Sequence, residues 1–344
     1  MEKIRVGLAL GSGAARGWAH IGVLRALQEI GVEPMVVTGT SIGSLVGGAY
    51  CAGRLDELEQ WVRDMDRWQV FNLLDFGFAN GGVVSGERVF NKAREQFGAI
   101  DVDELPIRFA AVATDLYTGR EVWLKQGDVY EIARASCAMP GLLAPKALDN
   151  RWLVDGALVN PVPVSLNRAL ESDFVIAVHL NSQLNVQAPK IPPQDLNPQG
   201  LDEQLAQQQY KERERRAAQH DVAQGAYQGR QKRQEVGFKN FLAQGQSYFD
   251  NFKQKFKKEH ETPGVVGVMA GAIDIMQERV TKARMAGDPP DVLLQPKLGH
   301  IGILEFERGA ESIQVGYETT LRMRDLIEED IKMLRFRRGE RILD

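Results

Sequence analysis

Residues 36–45 read Val-Val-Thr-Gly-Thr-Ser-Ile-Gly-Ser-Leu, a β-branched run that passes through two glycines into the apolar segment Ile42–Ala52. The run predicts a strand and the segment a helix. The junction between them carries Gly39-x-Ser41-x-Gly43. A serine on a cramped strand-to-helix turn projects its oxygen from the C-terminal edge of a sheet, which is the setting of a nucleophile elbow. The helix N-terminus behind it favours developing negative charge. The plain alternative is a Gly/Ser turn capping a helix, and at this point both stand.

The same alternation continues on either side. Ile4–Leu10 is an apolar run ending in glycines, and residues 17–30 place Trp18, Ile21, Val23, Leu24 and Leu27 at the spacing of an amphipathic helix. With Met35–Thr38 as the next strand, the order βαβα predicts an α/β fold with a mostly parallel sheet and crossover helices. Further strands are expected at Arg108–Ala113, Glu121–Leu124, Trp152–Val154 and Asp173–Leu180, and helices near 55–68, 87–97 and 128–137. The turn Tyr117-Thr-Gly-Arg120 makes a hairpin of Phe109–Leu124 and the sheet mixed.

The composition then shifts. Residues 181–262 are rich in Gln, Lys and Arg, poor in Leu, Ile and Val, and carry Pro189, Pro192, Pro193 and Pro198. They read as a long polar, helix-prone insertion. Apolar character returns in the expected helix Val265–Arg284, strand Asp291–Gln295 and closing helix Glu311–Leu334. Residues 4–180 and 263–344 are thus expected to form one α/β domain. Within the insertion, Phe238–Phe256 places its aromatic residues in one arc of a helical wheel with lysines at the edges. Two readings fit: a helix packed on the domain, or a peripheral membrane contact.

The 344 residues, 44% hydrophobic with a net charge of −4, exclude a collagen, a coiled coil and a wholly disordered chain. They leave no electrostatic footprint for nucleic acid. Cys51 and Cys137 have no metal-ligand spacing and read as buried thiols of a reducing compartment. No secretory signal and no stretch of about 20 apolar residues is present, so a cytoplasmic location is expected. No oxygen-ligand loop for calcium is seen, and neither metal nor cofactor is expected. Homo-oligomer formation is left open.

The first strand–helix junction is Leu10-Gly11-Ser-Gly13-Ala-Ala-Arg16-Gly17. Such a loop presents backbone N–H groups to an anion. Its spacing is neither G-x-G-x-x-G nor a P-loop, which counts against a nucleotide site. An oxyanion hole at Gly13 and Ala14 fits better, because this loop and Ser41 lie on the same sheet edge. A nucleophilic serine also needs a base. None of His20, His179, His220, His260 and His300 has a supporting signature, and His300 reads as a surface residue. The better candidate is Asp155 in Trp152-Leu-Val-Asp-Gly156-Ala, although an Asp-Gly turn is the ordinary reading of that dipeptide.

Taken together, three blocks resemble the patatin-like phospholipase family: Gly11–Gly17 its glycine-rich block, Gly39–Gly43 its nucleophile elbow, and Asp155-Gly-Ala157 its Asp-Gly-Ala/Gly block. Ala113–Leu116, Ser136–Gly141 and Met285–Pro296 add to the likeness, which is greatest to the bacterial RssA-type members. The resemblance covers about residues 4–180 and 264–330. It implies a three-layer α/β/α fold and a carboxylic ester hydrolase acting on lipid or fatty-acyl esters. It also implies a Ser–Asp dyad, with Ser41 as nucleophile and Asp155 as base, and a pH–rate profile without a histidine limb near 6.5. Ser12 departs from the glycine usual in the family. Arg16 matches its basic position, either as a structural residue or as an attraction for an anionic head group. A scaffold that keeps the fold and acts through its insertion is the alternative.

Overall fold

The computed structural model describes residues 4–66, 90, 91, 94, 98–182 and 265–338. All of them belong to the compact unit formed by Met1–Val186 and Val265–Asp344. The aromatic segment Phe238–Phe256 and most of the helix expected near 87–97 lie outside the described residues.

Strands β1 (Val6–Leu10), β2 (Val36–Thr40) and β3 (Arg108–Asp115) run parallel, as do β7 (Phe174–Val178) and β8 (Val292–Leu294). Strand β4 (Glu121–Leu124) is antiparallel to β3, and β6 (Arg151–Asp155) is antiparallel to both β3 and β5 (Lys146–Leu148). The bonded path is β5-β6-β3-β2-β1-β7-β8, with β4 paired to β3 beside it. Each residue of β1, β2 and β7 is buried, as a parallel sheet covered on both faces requires.

Alternate residues serve the two faces. Leu8, Leu10, Val37, Phe109, Ile176 and Val178 pack in the main core with helices α1 (Ala19–Glu29) and α2 (Ile42–Cys51). Ala9, Val175 and Ala177 face Val162 and Val164, and Ala110 and Val112 face Leu166. Helix α4 (Val129–Ser136) follows the expected 128–137 closely, whereas helix α3 (Leu55–Arg63) stops five residues short of the expected 55–68.

Four further elements differ from expectation. The first helix begins with a 3₁₀ turn over Ala14–Trp18, because Ala14 takes φ 48°. Strand β5 and helix α5 (Val164–Ala169) had no sequence signal; three and six residues are too short for a periodicity to show. After the long helix α6 (Val265–Gly287), the closing helix is two: α7 (Gly309–Arg322) and α8 (Arg324–Arg337). Neither Gly nor Pro marks that break. Thr320 donates its hydroxyl back to Gly316 O at 3.0 Å, a bond that bends helices. Met323 then leaves helical geometry at φ −100°, ψ 5°.

Candidate active site

The register of β3 brings two distant segments together. Along one edge of β3, Ala111–Thr114 pair with β4. The other edge is shared: β2 takes it up to Thr40↔Val112, and β6, running the opposite way, takes it from Asp155↔Ala113. The two strands meet head on. Ser41, one residue past β2, therefore faces Asp155, the last residue of β6.

Ser41 sits at φ 56°, ψ −128°, a left-handed conformation that side chains rarely adopt. The flanking glycines make the turn fit. A Cβ on Gly39 would strike the backbone of Ser44, and one on Gly43 the Leu10 carbonyl. The Ser41 carbonyl is taken by Ser44, from N at 2.8 Å and from Oγ at 2.6 Å. Its Oγ donates to Asp155 Oδ2 at 2.6 Å, with both residues buried.

Asp155 Oδ1 accepts from Ala157 N at 2.8 Å, and Thr114 Oγ1 donates to the Asp155 carbonyl at 2.8 Å. Gly156 passes so close to Val112 O that a Cβ has no room there. Burial raises the carboxyl pKa to about 6, against the lowering effect of the Ser41 and Ala157 bonds. An aspartate so placed is a better proton acceptor at neutral pH than an exposed one.

One residue of this cluster carried no role in the sequence. Ser136, at the end of α4, accepts from Ser41 N at 2.9 Å and donates to Val112 O at 2.6 Å. It is fully buried. Its donation to Val112 O leaves the lone pairs of Ser136 Oγ turned toward the Ser41 N–H, so the strained turn is held from outside. Only the neighbourhood Ser136–Gly141 stood out in the sequence, and only by resemblance.

In the glycine-rich loop, most N–H groups are spent. Gly11 N donates to Val178 O, Ser12 N to Pro161 O, Ala15 N to Ile303 O and Arg16 N to Gly13 O. Among the described residues, Gly13 N and Ala14 N make no such bond. Both residues line a narrow cleft with Met139, Ile273, Asp274, Gln277 and Ile303. Gly17 leaves no room for a Cβ against Ile42, which sets the loop against the first turn of α2.

Arg16 is buried, not free for a ligand. Its Nε donates to Ile301 O at 2.9 Å, and its guanidinium meets Asn181 Oδ1 at 3.0 Å and Asp274 Oδ2 at 3.4 Å. Of the two roles expected for it, the structural one is what the geometry shows. Ser12 donates its hydroxyl to Gln277 Oε1 at 2.9 Å, so the departure from glycine ties the loop to α6.

The histidines lie elsewhere. His20 is buried with Nε2 2.7 Å from Gly11 O, and burial lowers its pKa to about 4; it stays neutral and donates to that carbonyl. His179 is buried 3.0 Å from Glu278 Oε2, with its pKa lowered by burial. His300 is on the surface beside Glu311. His220 and His260 lie outside the described residues. Cys51 is a buried free thiol, while Cys137, where α4 ends, is only half-buried. Among the described residues no helix is long and apolar enough to cross a membrane.

A family model described as patatin-like phospholipase matches residues 8–167. An NTE family protein of Mycobacterium bovis is 34% identical over 331 residues, covering 91% of this chain and 89% of its own. One from Mycobacterium tuberculosis has the same figures. The neuropathy target esterase sws of Drosophila melanogaster is 33% identical over 186 residues, 52% of this chain and 13% of that longer protein.

Proposed function

Because the chain belongs to the patatin-like phospholipase family, whose members are lipid hydrolases, we propose that it is a serine-dependent lipid acyl hydrolase of phospholipase, lysophospholipase or esterase type. The observation that carries this is the buried 2.6 Å hydrogen bond from Ser41 Oγ to Asp155 Oδ2.

Ser41 Oγ attacks the acyl carbonyl carbon while Asp155 takes its proton. The carbonyl oxygen becomes an oxyanion that accepts hydrogen bonds from the N–H groups of Gly13 and Ala14, which have no other acceptor among the described residues. As the tetrahedral intermediate collapses, Asp155 returns the proton to the leaving alcohol. Water then attacks the acyl-serine, with Asp155 again accepting a proton, and Asp155 hands that proton to Ser41 Oγ as the acyl bond breaks and the fatty acid departs. The raised pKa of Asp155 supports its part in both steps. His20 has a supporting task, since its bond to Gly11 O braces the loop.

Turnover on a panel of phospholipids, lysophospholipids and short p-nitrophenyl esters tests the reading beside Ser41→Ala. The expected result is hydrolysis and fluorophosphonate labelling by the wild type, and neither by a folded Ser41→Ala protein. Substantial turnover in that variant overturns the assignment.

A further inference from the structure

Helix α6 presents two unlike faces. On the inner one, Ile273, Asp274 and Gln277 line the cleft at Gly13 and Ala14. Gln277 accepts from Ser12 and Asn181, Asp274 meets Arg16, and Glu278 is buried beside His179. On the outer one, Val268, Met269, Ile275 and Met276 are 53%, 44%, 51% and 51% exposed. Ala272 and Arg279 are exposed as well. Positions 268, 272, 275, 276 and 279 follow the i, i+4, i+7, i+8, i+11 spacing of a single helical stripe. Among the described residues, the most exposed large apolar side chains of this helix thus share one face, over two turns, on the element that roofs the candidate cleft.

Charge is sorted the same way. The two acids of α6, Asp274 and Glu278, both turn inward to Arg16 and His179. Beyond the apolar stripe the outward charges are Arg279 and Lys282, the latter 70% exposed as it reaches back to Glu278. An apolar stripe that runs into cations with no acid on its surface matches an anionic lipid interface: the stripe enters the acyl boundary and the cations meet the head groups.

We propose that this outer stripe of α6 is the surface by which the protein docks on an anionic phospholipid bilayer. The proposal rests on the lipid-hydrolase reading and adds to it the place where the substrate is met. With the stripe in the bilayer, the cleft lined by Ile273, Asp274 and Gln277 lies on the opposite side of the same helix, one helix diameter from the membrane.

The test separates docking from hydrolysis. The full chain bearing Ser41→Ala is sedimented with vesicles of phosphatidylglycerol and phosphatidylcholine, and with pure phosphatidylcholine. Binding is expected to the anionic vesicles. It should fall at least tenfold with Ile275→Glu/Met276→Glu and several-fold with Arg279→Gln. With Ser41 restored, Ile275→Glu/Met276→Glu should turn over a short p-nitrophenyl ester at the wild-type rate, which shows that the fold is intact. Equal vesicle binding by the Ile275→Glu/Met276→Glu protein overturns the proposal. So does binding that survives in it but is lost with Phe249→Glu/Phe252→Glu, since the contact then lies in the insertion. A wild-type dimer in sedimentation velocity that Ile275→Glu/Met276→Glu dissociates also overturns it, because the stripe then joins two copies. Failure of the hydrolase reading looks different: vesicle binding intact and no ester turned over.

Discussion

Asp155 is the residue whose environment does most to its chemistry. Burial favours its neutral form and lifts the pKa to about 6, and the Ser41 and Ala157 hydrogen bonds pull the other way. As base it must be ionised, so kcat/KM should climb with pH to a plateau, with its midpoint near 6. The family likeness implied a profile without a histidine limb near 6.5, and burial gives the Asp155 carboxyl a limb of its own in that range. Temperature separates the two groups: ionising a carboxyl takes little enthalpy, whereas ionising an imidazolium takes much. The midpoint should hardly move on warming, and a marked downward shift would point to a histidine instead. Stability has the opposite sign. The folded pKa lies above the ordinary aspartate value of 3.8, so the cost of ionised Asp155 is absent below pH 3.8 and complete above about 6. Asp155→Asn should therefore abolish turnover yet exceed the wild type in stability at pH 8, by up to about 3 kcal/mol. The difference should vanish below pH 3.8, and denaturant melts at the two pH values check it. Ser136→Ala leaves a buried Ser41 N–H without an acceptor, at about 1–3 kcal/mol. It should lower kcat roughly tenfold to a hundredfold while KM holds, because the elbow loosens and the cleft does not change. Ser41 and Asp155 were legible because each sits in its own glycine-marked turn. Ser136 was not: a serine at a helix end has no spacing of its own, and its partner lies 95 residues away.

Elements decide where those residues meet. Periodicity placed β2, β3 and β6 in the chain, and the Tyr117–Arg120 turn correctly paired β3 with β4. What it could not show is that β2 and β6 divide one edge of β3 between them, because register depends on pairing partners far apart in sequence. The crossing of α1 and α7 was equally hidden. A Cβ on Gly22 would strike the Ile313 carbonyl, and one on Gly316 the Ala19 carbonyl, so the two helices touch backbone to backbone. Within each helix alone these glycines look like weak points. Their value appears only at the contact. Gly316→Val should force the helices apart and cost at least about 2 kcal/mol, read as a lower melting temperature. Turnover at low temperature should be retained, because neither glycine lines the cleft. An unchanged melting temperature would show that the close approach does not matter.

At the scale of the molecule, residues 265–338 are fastened to the N-terminal half at many separate points. β8 pairs with β7 through Ile176↔Val292 and Val178↔Leu294. Arg16 meets Asp274, Ser12 meets Gln277, Glu121 meets Arg284, and Arg168 meets Asp288. α7 lies against α1. Composition alone marked the return of apolar sequence after the insertion, and so suggested a domain interrupted rather than two in series. Which residues would be tied could not be read, since every one of these contacts spans more than a hundred residues of chain. The physical consequence is that covalent continuity between the halves is dispensable once the protein has folded. A single cut at a protease site engineered between residues 187 and 264 should leave two pieces that elute together from a sizing column and still hydrolyse ester. Only denaturant should part them, and neither piece made alone should show turnover, because Ser41 and Asp155 lie in one piece while Asp274 and Gln277, which brace the glycine-rich loop through Arg16 and Ser12, lie in the other. Separation of the cut pieces in native buffer would mean that the segment from Val265 onward folds as a domain of its own, and that the cleft roof is a docked neighbour and not part of the same core.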